Sequence, residues 1–342
     1  MAPPVTLKHI AEEVNKTAVT VSKALRNHPD ISKKTREEIL RVAERMGYTP
    51  NLIARKLSSK STRSIGLIVP HIAHPFFAQS IEAIYDEAHR REYDIILMLT
   101  GEDDGLEAQH IQSLLSMQVD GFLISVSETT KDISIFQNIL NRGKRLVFFD
   151  RVMEGLDCSR VVCDNYQGTC DLVTFAIKNG YQEIGYIAGY SNNYIGRERR
   201  HGFEAAMTNA GLKIHPEWII EGGFSQKDGY QGFMKLKGNG PLPKLIATVS
   251  YNVAMGVMKA IEEAGLTIPN DIDLIAFGDS EFNHFLNPAL TVSRLQSREM
   301  GRRALDMLIR AIDLDDSEST EIVVPTELII HDTGLNKKIE RR

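Results

Sequence analysis

Within seven residues the chain sets out Thr17, Ala18, Val19, Thr20, Ser22 and Lys23. These are three hydroxyls, two small apolar side chains and one ammonium, without a nucleophile–base pair among them. The chemistry they can do is reading a duplex. Short side chains let a helix approach base edges, and small apolar ones can meet a thymine methyl. Hydroxyls suit phosphate oxygens, and Lys23 can donate to guanine acceptors or to phosphate.

Three elements must position that group. Thr6 is a good N-cap for a first helix whose Leu7, Ile10, Ala11 and Val14 recur at helical spacing. Asn15 tolerates the left-handed backbone of a tight turn. Thr17 can cap the second helix, with Val21, Ala24 and Leu25 inward. A third helix starts at Ser32, turns Ile39, Leu40, Val42, Ala43 and Met46 inward and ends at Gly47. Two helices across a short turn with a third closing the core is the helix-turn-helix plan, and the second helix should enter the major groove. The plain alternative is a small three-helix domain with a solvated charged face. Charge argues against it. Residues 1–63 carry 13 Lys and Arg against 6 Asp and Glu, whereas the remaining chain carries 27 against 39. A basic arm on an acidic body is the electrostatic footprint of nucleic-acid binding.

Next come Tyr48, Thr49, Pro50, Asn51, Leu52, Ile53, Ala54, Arg55, Lys56 and Leu57. Pro50 stops the third helix. Asn51, Ala54 and Leu57 then fall at helical spacing, so a short helix fits. Leu57 is a candidate wedge for a base step, with Arg55 and Lys56 beside it for phosphates. The bland alternative is a linker helix with one core leucine. Residues 58–64 are small and polar and read as a linker that orders on binding.

Hydrophobic content of 42% and charged content of 25% mark an ordinary soluble globular chain, and 342 residues leave room for two or three domains. Pro3-Pro4 and the immediate helix point away from a secretory signal, and no run approaches a membrane span. Cys158, Cys163 and Cys170 lack metal or redox spacing and read as reduced, buried thiols of a cytoplasmic protein.

From residue 65 the pattern alternates. Strands are expected at 64–69, 93–99, 121–126 and 145–150, with helices at 77–92, 107–117 and 133–142. A second set has strands at 184–189, 218–222, 245–249 and 274–278 and helices at 166–179, 200–210, 228–236 and 253–264. A helix over 293–311 and strands at 321–325 and 327–330 close the chain. Such units imply doubly wound α/β lobes. Ligands in these sheets sit beyond the carboxyl ends of strands, so a cleft between lobes draws on residues 70–77, 100–104, 125–127, 150–151, 190–199, 223–224, 250–251 and 279–280. Aromatic faces plus a few charges there suit a sugar or a flat base. No phosphate loop or nucleophile elbow appears, so neither an enzyme nor a cofactor is expected. His71 and His74 have an i, i+3 relation but no evident third metal ligand.

Thr6-Leu7-Lys8-His9-Ile10-Ala11, Thr20-Val21-Ser22, Gly47-Tyr48-x-Pro50-Asn51-x-x-Ala54-Arg55-x-Leu57 and Ile65-Gly66-Leu67-Ile68-Val69-Pro70 resemble the lactose-repressor/galactose-repressor family of bacterial transcription regulators. The match runs in order through nearly the whole chain. It implies a helix-turn-helix domain (residues 1–49), a hinge helix and linker (50–63) and a periplasmic-binding-protein-like effector domain (64–335). The first lobe would comprise about 64–163 and 294–325, the second about 164–293 and 326–335. It implies a homodimer on a near-palindromic operator in double-stranded DNA, with Leu57 opening the central step.

Effector contacts are implied for Phe76, Phe77, Asp150, Arg199 and Phe224, with Tyr251 an added stacking surface. The plain alternatives are Phe76 as core and Asp150 paired with Arg151 or Arg197. The chain departs from the family at Asn15 for a turn glycine, Lys16 for an apolar residue and Lys23 for an arginine. Ser250-Tyr251 replaces an Asn-Asp pair. Gly278 stands where a ligand-binding aspartate is usual; either Asp279, one later, substitutes by a small shift or the contact is absent. The basic tail is short beside the tetramerising extension of some members. The leading expectation is a repressor controlled by a small-molecule effector, a sugar or sugar derivative. The alternatives are a catabolite-control regulator with a phosphoprotein co-repressor and a two-lobed solute-binding protein.

Overall fold

The computed structural model describes residues 5–25, 27–48, 61–315 and 318–336. The chain divides into two units, Met1–Thr62 and Arg63–Arg342. In the first, helices Leu7–Glu13, Ala18–Leu25 and Lys33–Arg45 enclose Ile10, Val21, Ala24, Ile39 and Ala43. The local chemistry follows the sequence. Asn15 takes φ 50° and Gly47 φ 67°, and Thr17 Oγ1 accepts the Thr20 N–H at 3.1 Å. Ser32 Oγ accepts the Thr35 N–H at 3.2 Å and starts the third helix. Leu40 differs from expectation. It is 46% exposed, because the stripe carrying Ile39 and Ala43 is narrow and Leu40 falls at its edge.

The second unit holds two six-stranded sheets. Their strands are β1 Ser64–Val69, β2 Asp94–Leu99, β3 Gly121–Ile124, β4 Arg145–Phe149, β5 Ser159–Cys163, β6 Ile184–Ala188, β7 Ile219–Glu221, β8 Leu245–Thr248, β9 Asp273–Phe277, β10 Thr291–Arg294, β11 Glu321–Val324 and β12 Glu327–Ile329. The orders are β11-β5-β4-β3-β1-β2 and β12-β10-β9-β8-β6-β7. All pairings are parallel except β10 with β12. Helices cover both faces, which is why β1, β3, β6, β8 and β9 are buried along their length. Each sheet with its helices forms a lobe. The chain passes between lobes after β5, after β10 and between β11 and β12.

Four details depart from the sequence reading. The strand β5 was not anticipated. The helix expected over 293–311 is instead β10 followed by helix Ser297–Asp313. The helix expected from Phe77 starts two residues earlier, as Pro75–Arg90, and takes Phe76 into its first turn, because His74 caps it and Pro75 suits its first position. Helix Tyr194–Asn209 starts about two turns early. Asn193 Oδ1 accepts the Gly196 N–H at 2.7 Å, and the opening turns carry polar residues that hide the helical period. Arg199 is therefore on a helix and not on a loop.

Helices Gln226–Gly238 and Tyr251–Glu263 cross at two glycines. A Cβ on Gly229 would meet the Val253 carbonyl oxygen at 2.0 Å, and one on Gly256 the Gln226 carbonyl oxygen at 1.9 Å. That approach draws their N-termini together, and the Ser250 hydroxyl donates to the Phe224 carbonyl at 3.3 Å.

Candidate functional site

The first unit presents its second helix as expected, with differences in detail. Val19 is 65% exposed, while Ala18 and Thr20 are half-buried. Thr17 and Thr20 share a hydroxyl–hydroxyl bond of 2.9 Å that belongs to the helix cap. Ser22 is half-buried. Lys23 Nζ lies 2.9 Å from Asp30 Oδ2, so this cation is held in place before any DNA contact. Thr6 stands at the first N-cap, its N–H donating to His9 Nδ1 at 3.3 Å. Tyr48 packs on the three-helix core and its N–H donates to the Ala43 carbonyl at 2.9 Å. Asn51, Ala54, Arg55 and Leu57 lie outside the described residues.

In the second unit a cleft of about 1270 Å³ runs between the lobes. Phe76, Phe77, Asp150, Arg199, Phe224, Tyr251 and Asp279 all line it. Phe76 and Phe77 also belong to the first-lobe core, at 5% and 2% exposure, so only part of each ring faces the cavity.

Asp150 follows β4 with φ 62° and is buried. Among the described residues none donates a hydrogen bond to its carboxylate. The two suggested partners are engaged elsewhere: Arg151 with Glu102 and Glu128, and Arg197 with Glu154. Burial pushes the Asp150 carboxyl up to about 6, against the pull of Arg151 and Arg199.

Arg199 enters from the other lobe and is also buried. Its Nε donates to Asn165 Oδ1 at 2.8 Å and its Nη1 to the Val249 carbonyl at 2.7 Å. These neutral partners aim the guanidinium without cancelling its charge, and burial lowers its affinity for the proton. An oriented cation and a desolvated carboxylate thus share one cavity.

The aromatic wall is equally fixed. Phe224 packs on Gly189, where a Cβ would meet its ring at 2.4 Å, and Tyr190 stands edge-on to it at 6.4 Å. The Tyr251 hydroxyl donates to Asn283 Oδ1 at 3.4 Å, and burial pushes it up to about 12. Asp279 is half-buried and accepts the Ser280 N–H at 2.7 Å.

Residues 6–51 match the family model for bacterial regulatory proteins of the lacI family. Residues 62–332 match the model for periplasmic binding proteins and the sugar binding domain of the same family. The chain belongs to the LacI family. It is a DNA-binding transcriptional repressor with an effector-binding domain, and not an enzyme. The HTH-type transcriptional repressor PurR of Pasteurella multocida (strain Pm70) is 29% identical over 326 residues, covering 95% of this chain and 97% of that protein. PurR of Haemophilus influenzae (strain PittEE) is 30% identical over 334 residues, with the same coverages. The lac repressor dimer bound to operator and the anti-inducer ONPF shares the fold, with a TM-score of 0.86 at 24% identity over 97% of this chain and 100% of that one.

Glu128 and Asp228 also line the cleft of this LacI-family chain and were missed in the sequence. Glu128 lies one residue beyond the strand-end segment 125–127 expected to face the cleft. Asp228 reads locally as a capping-box acid, a role it does fill with Ser225. Among the described residues no helix is long and apolar enough to cross a membrane.

Proposed function

We propose that the effector is a small sugar or sugar derivative bound in the interlobe cleft, and that it sets the DNA affinity of a homodimer on a near-palindromic operator in the bacterial cytoplasm. The observation that carries this is the meeting of Asp150 and Arg199 in one cavity beside the Phe224 and Tyr251 rings. Sugar hydroxyls both donate and accept. A carboxylate that takes no hydrogen bond from the described residues meets the first role, and a guanidinium held by neutral partners meets the second. Aromatic faces pack on the apolar side of a pyranose.

The cleft, about 1270 Å³, is larger than the roughly 300–1000 Å³ of common ligand pockets, which leaves room for the lobes to close on a ligand or for one of more than one ring. Three interlobe passages allow closure by small backbone rotations. An effector that prefers one arrangement shifts the population toward it, and DNA affinity follows. In this reading Ala18, Val19 and Lys23 face the major groove and Leu57 enters the minor groove.

The test is selection of binding sites from a random DNA pool by the full chain at stated salt, with and without pooled sugars. A near-palindrome whose recovery changes with sugar is expected, and the direction distinguishes release from co-repression. An enriched site indifferent to every sugar but responsive to pooled purines would overturn the sugar assignment.

A further inference from the structure

On the first-lobe wall of the cleft, Glu102 and Glu128 share one arginine. Arg151 Nη1 donates to both Glu102 carboxylate oxygens at 2.7 and 3.0 Å. Its Nη2 lies 3.1 Å from Glu128 Oε1. Asp228 lines the same cavity from the second lobe. Burial raises the Glu128 carboxyl above its ordinary value, Arg151 pulls it back, and the Glu102 and Asp228 charges raise it further.

These acids are held firmly. The loop bearing Glu128 is pinned from beneath by the fully buried Glu107. Glu107 accepts bonds from the Ser127 N–H at 3.0 Å, the Ser127 hydroxyl at 3.2 Å and the Thr130 hydroxyl at 2.6 Å. The Glu128 N–H donates to Glu102 Oε2 at 2.8 Å. Across the cleft, Asp228 is fixed by the Ser225 N–H at 2.9 Å and by the Ser225 hydroxyl. Deeper in the same cavity, Asp150 is more than nine-tenths buried and aims a carboxylate without a hydrogen-bond donor among the described residues.

The charges do not balance. Glu102, Glu128, Asp150 and Asp228 stand against Arg151 and Arg199, and Asp279 and Glu281 add further negative charge. Two other lining cations are occupied, Arg294 with Glu327 and Arg298 with Glu82 and Asp86. Lys131 is exposed at the rim. Closure that carries Asp228 toward Glu128 increases their repulsion unless the ligand supplies positive charge.

We infer that the effector carries a cationic nitrogen, as an amino sugar does, seated between Glu128 and Asp228 while its hydroxyls meet Asp150 and Arg199. This rests on the sugar reading and narrows it. The same surplus of carboxylates disfavours phosphorylated and carboxylated sugars, which is discrimination by repulsion.

The test is calorimetric titration of the full chain with glucosamine, galactosamine and the disaccharide of chitosan. Their N-acetylated, neutral and 6-phosphorylated counterparts serve as comparison probes. At least one amine should bind ten-fold or more tightly than its acetylated and neutral counterparts, with its 6-phosphate weaker still. Glu128→Gln should remove most of that preference, and Asp228→Asn should do so independently, with melting curves confirming that both variants fold. Neutral or phosphorylated sugars that bind as tightly as amines would overturn the inference and leave the sugar reading standing. A preference that survives in both variants would also overturn it. Failure of every sugar to bind would overturn both readings.

Discussion

The Arg199 guanidinium carbon stands 3.7 Å above the centre of the Phe277 ring. Phe277 ends a second-lobe strand yet packs in the first-lobe core, so this contact lies where the lobes meet. Lysine cannot reproduce the planar fork that bonds Asn165 and Val249 while stacking on a ring. Arg199→Lys is therefore expected to weaken effector binding at least ten-fold, about 1.4 kcal/mol, with effector-free operator binding retained. Calorimetry beside DNA anisotropy checks this, and unchanged effector affinity would remove Arg199 from the site.

Asp150 should destabilise the fold it serves. Its carboxyl is raised from 3.8 to about 6, chiefly by burial. The folded chain therefore holds that proton more tightly than the unfolded chain. Between those values stability falls as pH rises, and above about 6 the penalty is constant, on the order of 3 kcal/mol. Asparagine tolerates the φ of 62°. Asp150→Asn should thus melt a few degrees higher at pH 7 and lose that pH dependence, while effector binding weakens. Melting curves from pH 4 to 8 decide it, and a lower melting temperature at pH 7 counts against the assignment.

Gly189→Ala tests the aromatic wall. The added methyl falls on the Phe224 ring at 2.4 Å, so the ring must leave its place. Effector affinity should drop ten-fold or more. A crystal structure of the variant should show Phe224 displaced, and an unmoved ring with normal affinity would contradict the packing described.

Arg197 Nη2 of the second lobe lies 2.7 Å from Glu154 Oε1 of the first. Glu154 is more than half exposed, so solvent screens the bridge, and exposed pairs contribute about 0.2–1 kcal/mol. Glu154→Gln should shift the effector midpoint by no more than about five-fold. The shift should vanish at high salt. A larger, salt-insensitive shift would mean that Glu154 touches ligand.

On the DNA side, Asp30→Asn releases Lys23 from its 2.9 Å partner. Affinity should rise for all sequences, with a steeper salt dependence. Val19→Ser should instead change base preference at one position by about 1–3 kcal/mol without altering the salt slope. A Val19 variant that weakens all sequences equally would place that residue on the backbone.

The fold was legible because its signals are local. Hydroxyl caps, the Asn15 turn and helical spacing placed the three-helix unit, and alternating apolar runs placed most strands of both sheets. Errors arose where local signals conflict. Leu40 shares the period of its neighbours but falls outside a narrow core. The opening turns of helix Tyr194–Asn209 mix Ile195 and Gly196 with Arg197, Glu198 and Arg199, and Tyr194, Ile195 and Arg199 face the cleft, so the start of that helix was hidden.

The sequence alone determined the basic reading unit, the two α/β lobes, and the aromatic and charged residues at strand ends, because each depends on neighbours within a turn or a strand. Only the tertiary structure decided which of those residues share a cavity. It leaves Asp150 without a hydrogen-bond donor among the described residues and gives Arg199 neutral partners. It also sets Glu128 and Asp228 on opposite walls, although 100 residues separate them in the chain. Desolvation and charge balance depend on every element packed around a group, and no local pattern carries that information.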